Sequence, residues 1–406
     1  MKGEKQMAPK TVKVGLIGSG AISYTYLDNM TKRFDILDVV GCSDIIPERS
    51  EKRAKEFNIR QMTNDEIYAD PEIEIVVNTT YPRSHYEVTK AALEAGKHVY
   101  SEKMLAVNFE EAKELYDLAK SKGLRLSCAP DTFLGAGYQT CRKLIDDGFV
   151  GIPLSVHAVI IRGYHDNGKV VHDIKPFVLD DGGTIPFDMG GYYIHAMVNL
   201  FGPVKRVAGF GRTHENKVYH NPFHPNYKQP LPLNSPTIIQ VSLEFESGVY
   251  GTLTCCDEGF FGPDIQGITV YGTNGTLICP DPNTFGGPVK LLVNGGKEYV
   301  DMPLTHGYSG EERAFRMPGS QEQDFMAMMW AASRRGIGVA DMAWAIRNDR
   351  AHRCSAELAL HAIEIVHAAV ECDRSGKVYE MTSRPDRPEA LPSGFISCPE
   401  AVFDTN

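Results

Sequence analysis

Several features that would mark large classes of protein are missing from this chain. Its 406 residues hold no run of five or more basic side chains, and lysine plus arginine (42) fall short of aspartate plus glutamate (52), for a net charge of −10. That balance argues against a polyanionic partner, nucleic acid included. Nowhere do about 18 consecutive apolar residues occur to span a bilayer. The opening MKGEKQMAPK is polar and lacks the apolar core of a secretory signal, so the expected location is the cytoplasm. Nine cysteines, at 42, 128, 141, 255, 256, 279, 354, 372 and 398, form no C-x-x-C pair. An odd, scattered set reads as reduced, mostly buried thiols. His214, His220 and His224 lack an acidic partner at the right spacing, and Pro222 and Pro225 break the helix that an i, i+4 pair of histidines would need, so no metal is expected. Internal repeats and low-complexity tracts are absent.

What is present is an alternation. From Thr11 to about Ala129, short apolar runs (VKVGLI, LDVVGCS, EIVVNT, HVYS, LRLSC) alternate with helical patterns such as SHYEVTKAALEAG. Regular strand–helix alternation predicts a parallel sheet with helices on both faces. Gly96 and Gly123 stand where helices should end. After Pro130 comes one more helix up to Gly148, then β-rich segments (LSVHAVIIR, TIIQVSLEFES, GVYGTLTCC, QGITVYGT) broken by Gly/Pro loops. The expected class is α/β: a doubly wound parallel sheet over 11–130, an α+β domain with a mostly antiparallel, open-faced sheet over 131–385, a flexible 1–10 and an extended arm over 386–406. Within the second domain, 186–201 reads as an inserted helix and 320–374 as largely helical.

The first strand runs into GLIGSGAIS, where Gly18, Gly20 and Ser23 match G-x-G-x-x-[GAS] between a predicted strand and a predicted helix. Glycines there permit a tight turn and let a pyrophosphate approach the N–H groups of Gly20, Ala21 and Ile22 at a helix N-terminus. The second strand ends in Asp44, an acid suited to the ribose hydroxyls and repellent to a 2′-phosphate, which predicts NAD over NADP; Arg49 close by is the argument for NADP. Two further strand ends, Thr79-Thr80-Tyr81 and Tyr100-Ser101-Glu102-Lys103, lie on the cofactor side of such a sheet. A desolvated lysine beside an oxidised nicotinamide has its pKa lowered towards the range of acid/base work. Further on, DMGGYYIH sets Asp188, Tyr192 and His195 at i, i+4 and i+7, one face of one helix, with Gly190 and Gly191 admitting a close neighbour. Arg162, His165, His172 and Asp131 are candidate substrate contacts.

VGLIGSGAIS, Thr80 and His85 with AALEAGKHV, Glu102-Lys103 and GGTIPFDMGGYYIHAMVNLFG together resemble the Gfo/Idh/MocA family, named for glucose-fructose oxidoreductase and inositol dehydrogenase, over about residues 11 to 385. The resemblance implies a Rossmann domain holding NAD, a sheet domain that builds homo-oligomers, and a lysine (Lys103) working with a D-x-x-x-[HY] helix (Asp188, Tyr192). It implies Thr80, Tyr81, His85 and Glu102 beside the cofactor. Met104 stands where the family has the proline of E-K-P, and Tyr81 replaces the usual proline after the threonine. The expected activity is oxidation of a secondary hydroxyl of a sugar, polyol or glycoside. Its alternatives are NAD-assisted glycoside cleavage by oxidation and elimination, and a non-catalytic dinucleotide-sensing regulator.

Overall fold

The computed structural model describes residues 10–162, 182–214, 218–219, 222, 225–231, 233–259, 267–309 and 334–393. The first part follows the predicted alternation: β1 (Val12–Ile17), α1 (Ser23–Lys32), β2 (Leu37–Ser43), α2 (Pro47–Phe57), β3 (Arg60–Gln61), α3 (Asn64–Ala69), β4 (Ile75–Asn78), α4 (Pro82–Glu94), β5 (His98–Ser101), α5 (Phe109–Ser121) and β6 (Leu126–Cys128). The strands lie in the order β3-β2-β1-β4-β5-β6, every pair parallel. β4 is buried along its whole length, as a strand covered by helices on both faces must be. Strand order reverses between β1 and β4, and a crevice opens there at the carboxyl ends. β3 escapes the sequence pattern because it has two residues, both exposed. It makes the Tyr100 strand the fifth rather than the fourth. Gly96 and Gly123 adopt φ of 79° and 65°, the left-handed conformation that ends α4 and α5.

Next come α6 (Ala136–Asp146), β7 (Pro153–Ile161), α7 (Thr184–Asp188), α8 (Gly190–Phe201), β8 (Val204–Arg212), β9 (Ile238–Phe245), β10 (Tyr250–Cys256), β11 (Gly267–Gly272), β12 (Gly275–Cys279), β13 (Val289–Val293), β14 (Val300–Met302), α9 (Ile337–Asn348), α10 (Ala356–Ser375) and β15 (Tyr379–Glu380). Nine strands form one sheet, β14-β13-β12-β11-β7-β10-β9-β8-β15, antiparallel except where β7 meets β10. Helix α10 lies against β8, α8 and α5, so it joins both sheets, and one buried cluster runs from Val12 and Tyr26 through Tyr192 to Leu253 and Leu291. The other face of the sheet is open: Phe210, Tyr250 and Tyr271 are exposed.

One expectation changes in detail. The helix expected over 186–201 is two helices, broken at Met189, because Asp188 ends α7 and the next turn restarts with Gly190 and Gly191. Of the region 320–374, the described part is helical in α9 and α10. The described stretch of the arm carries no helix or strand after Glu380. It is strapped down rather than loose: Arg353 donates to Glu389 O (3.0 Å) and Ala390 O (3.2 Å), and Leu391 N donates to Gln139 Oε1 (2.8 Å).

Candidate active site

The glycine turn after β1 has one closed side and one open side. Gly18 has φ of +100°, and a Cβ there would stand 2.6 Å from the Thr79 carbonyl carbon and the Thr80 nitrogen. No side chain fits. A Cβ on Gly20 would meet nothing within 4 Å, so this is where a ligand has room, with Ala21 exposed beside it and Ile22 leading into α1. Asp44 reaches this turn from the end of β2: Oδ2 accepts from Ser19 N (2.7 Å) and Oδ1 from Ile46 N (2.8 Å). The carboxylate is thus held at the rim of the turn by two backbone donors. Two neighbours were not picked out from sequence. Ile45 is 96% exposed immediately after Asp44, an apolar side chain beside the acid. Arg53 of α2 donates to Ser23 Oγ (3.2 Å) and Gly20 O (3.4 Å); nothing in its exposed helical pattern sets it apart from the other charges there. Arg49 is exposed on the same helix.

The ends of β4 and β5 are tied together by buried polar groups. Asn78 Oδ1 accepts from Thr80 N (3.2 Å) and Thr80 Oγ1 (2.7 Å), and its amide donates to His85 O and Thr89 Oγ1. His85, fully buried, sets Nε2 2.9 Å from Thr80 O and Nδ1 2.5 Å from Met104 O. Burial pushes its imidazole pKa down, against the two carbonyls that raise it. The ring therefore bridges the loop carrying Thr80 and half-exposed Tyr81 to the loop carrying Lys103, whose peptide bond to Met104 is cis. Glu102 is buried, with Oε1 accepting from Tyr26 Oη (2.7 Å) and Oε2 from Lys103 N (3.1 Å).

Lys103 crosses from this strand end to α7. Its Nζ pairs with Asp188 Oδ1, donates to Asp188 O at 3.2 Å and lies 5.6 Å from the centre of the Tyr192 ring. Burial works against the ammonium, yet Asp188 first, then Tyr192 and Glu102, hold its pKa above the ordinary lysine range. The net direction is opposite to the lowering expected from sequence, because Asp188, 85 residues away in sequence, acts together with Tyr192 and Glu102 against desolvation.

Of the three residues expected on one helical face, Asp188 and Tyr192 meet Lys103. His195 bonds elsewhere: it is 1% exposed, its Nδ1 lies 3.1 Å from Pro130 O, and burial pushes its pKa down to about 4. It has the surroundings of a neutral core imidazole packed edge-on to Phe133. A Cβ on Gly191 would stand 3.9 Å from both Met104 and Pro130, an ordinary contact distance. Asp131 is fully buried and accepts at Oδ2 from Gly336 N (3.2 Å) and Gly338 N (3.0 Å), capping α9. Arg162 extends to Met189 Sδ (3.9 Å), beside the helix break. His165 and His172 lie outside the described residues. One residue that no motif marked joins the group: Arg335 donates to the Tyr192 hydroxyl at 2.8 Å.

A parallel sheet in the order 3-2-1-4-5-6, a glycine turn open at Gly20 and a lysine–carboxylate–phenol cluster near the crevice define a dinucleotide-binding protein with a second, sheet-built lobe. Residues 12–129 match the oxidoreductase family with an NAD-binding Rossmann fold, and residues 138–278 match the GFO/IDH/MocA C-terminal domain. The chain belongs to the Gfo/Idh/MocA oxidoreductase family. Similar relatives include the inositol 2-dehydrogenase/D-chiro-inositol 3-dehydrogenase of Lactiplantibacillus plantarum, 34% identical over 35% of this chain and 42% of that protein. The scyllo-inositol 2-dehydrogenase (NADP(+)) of Bacillus subtilis is 30% identical over 51% of this chain and 56% of that protein. The chain spans about half the length of such curated relatives. Among solved structures, levoglucosan dehydrogenase in complex with NADH shares the fold, with a TM-score of 0.69 at 19% identity over 92% of this chain and 100% of that one. No helix among the described residues is long and apolar enough to cross a membrane.

Proposed function

We propose that the protein is an NAD-dependent dehydrogenase that oxidises a secondary hydroxyl of a sugar, polyol or glycoside. The observation that carries this reading is the contact of Lys103 with both Asp188 and the Tyr192 ring beside the crevice of the dinucleotide fold. It is supported by the inositol dehydrogenases among the relatives. When bound, NAD supplies the acceptor for the hydride of the carbinol carbon. The glycine turn fits it: Gly20 leaves its face open and Asp44 stands at the rim. Gly20, Ala21 and Ile22 would meet the pyrophosphate, Asp44 the ribose, and Thr80, Tyr81, His85 and Glu102 would shape the nicotinamide end. Lys103, fixed by Asp188, orients the substrate oxygen and takes part in the relay that removes its proton. Arg162 lies close enough to α7 to meet a further hydroxyl.

The oxidised position we favour is C3 of a glucose-like unit, a ring secondary hydroxyl presented to Lys103 and the neighbouring Tyr192. Incubation with glucose and with aryl glucosides, followed by NMR of the products, should show a 3-keto sugar or 3-keto glycoside. A lactone, or activity confined to acyclic hydroxy acids, would overturn this position.

Asp44 sets the choice of nucleotide in this reading. Asp44→Ser should weaken NAD and narrow the preference over NADP, because the charge opposing a 2′-phosphate is gone. Competitive binding of the two nucleotides to wild type and variant checks it; a wild type that already prefers NADP defeats the assignment. The open face carrying Phe210, Tyr250 and Tyr271 is the surface on which we expect copies of the chain to associate.

A further inference from the structure

We propose that Arg335 is a positioning residue for proton transfer: its guanidinium fixes the Tyr192 phenol and, with Lys103 on the same ring, keeps that oxygen able to accept the hydroxyl proton of the substrate. This rests on the dehydrogenase reading above and gives a role within it to a residue outside every motif.

The bonding pattern is what singles Arg335 out. It is 5% exposed, and its Nη2 donates to Tyr192 Oη at 2.8 Å and to Asn283 Oδ1 at 2.8 Å. Its Cζ lies 5.3 Å from the centre of the Tyr192 ring and 5.8 Å from that of Phe285. A buried guanidinium with a carboxylate in reach ordinarily turns its fork onto that carboxylate. Here Asp131 Oδ1 is at 3.9 Å from Nη1, and neither of these two atoms has a hydrogen-bond partner among the described residues. Asp131 Oδ2 is occupied by Gly336 N and Gly338 N. The short bond goes to the phenol instead, a neutral acceptor, so the strongest donor in this part of the core is aimed at one oxygen beside the active lysine.

An oxygen that accepts from a guanidinium is stabilised when it loses its own proton, because the bond becomes charge-assisted on both sides. Four charged groups face Tyr192. Lys103, after β5, and Arg335, before α9, favour the phenolate; Glu102 and Asp188 oppose it. Both carboxylates are already engaged, Glu102 by Tyr26 and Asp188 by Lys103. Burial is the largest influence and leaves the phenol pKa above its ordinary value; Arg335, then Lys103, act against that rise. Lys103 is the poorer acceptor of the two, because Asp188 keeps it an ammonium. In the balanced step Tyr192 has first given its own proton to solvent; the carbinol C–H then leaves as hydride, its electron pair going to the oxidised nicotinamide that NAD would supply, the O–H proton passes to the phenolate oxygen of Tyr192, and the substrate C–O becomes a carbonyl.

The test is a titration of Tyr192 by NMR in protein labelled with ζ-13C tyrosine, the resonance being assigned by its loss in Tyr192→Phe; it needs no substrate. In Arg335→Met the midpoint should rise by about one pH unit or more, and in Arg335→Lys by less, since a cation remains. In steady-state oxidation the limb of kcat/KM that rises with pH should move up in step, with kcat falling and KM little changed. If Arg335→Met does not fold, Arg335→Lys, which keeps a positive charge beside Asp131, carries the comparison. A Tyr192 midpoint that stays at the wild-type value in the folded variants overturns the inference, whatever turnover does. A displaced midpoint in a protein that oxidises no carbohydrate supports the coupling and overturns the dehydrogenase reading alone.

Discussion

Lys103→Ala is expected to lose at least ~100-fold in turnover, the usual scale for a positioned acid/base group, while its fold and its affinity for NAD stay near those of wild type. The reasons are local. The Lys103 side chain is only 17% exposed and its partner Asp188 15%, so the pair stands at the edge of the core and not in its middle. Its loss leaves a carboxylate that water can still reach. The backbone that shapes the nicotinamide end is held by other groups: Asn78 fixes Thr80, and His85 bridges Thr80 O and Met104 O. Removing the ammonium therefore deletes the group that orients the substrate oxygen without releasing the loops around it. Steady-state kinetics beside calorimetric NAD binding and thermal unfolding separate the two effects. Turnover close to wild type would sink the proposed relay, and a collapse of NAD binding would place Lys103 in the cofactor cradle first and in catalysis second.

The second large effect is a contrast between two glycines that look equivalent in G-x-G. Gly18→Ala should cost on the order of 3 kcal/mol of stability and abolish NAD binding. The new Cβ would sit at φ of +100°, 2.6 Å from the Thr79–Thr80 backbone, and relief would require parting β1 from β4 at the crevice. Gly20→Ala should behave in the opposite way towards folding. Its Cβ meets nothing within 4 Å, so stability should stay level or rise slightly as the unfolded chain loses freedom. NAD affinity should nonetheless fall by roughly tenfold or more, because the methyl occupies the face a pyrophosphate must approach. Chemical denaturation with and without NAD reads both quantities. Equal destabilisation by the two substitutions would mean that the open side of the turn is misplaced.

Much of this protein is legible in its sequence alone. Strand and helix periods are local properties, carried by side chains two to four positions apart, so the alternation over 11–130 specified a doubly wound sheet and the glycine turn specified its ligand edge. Asp44 could be picked out because the nucleotide fold sets an acid at the end of its second strand. The two-residue β3 was invisible for the same reason, since Arg60 and Gln61 are exposed and too few to show a period.

The tertiary structure decided which of these residues act together. DMGGYYIH places Asp188, Tyr192 and His195 on one ideal helical stripe, but the break at Met189 and the packing of α8 on Pro130 turn His195 into the core and leave Asp188 and Tyr192 with Lys103. Asp131, a substrate candidate in the sequence, has its Oδ2 taken by the first turn of α9. Arg335 entered the site from 143 positions beyond Tyr192. No spacing rule reaches that far, because a contact across such a separation is set by how two sheets share one core and not by any repeat along the chain. Composition and periodicity determined the fold and the kind of cofactor edge it offers; the choice of charged partners for a single phenol was made only when the sheets packed.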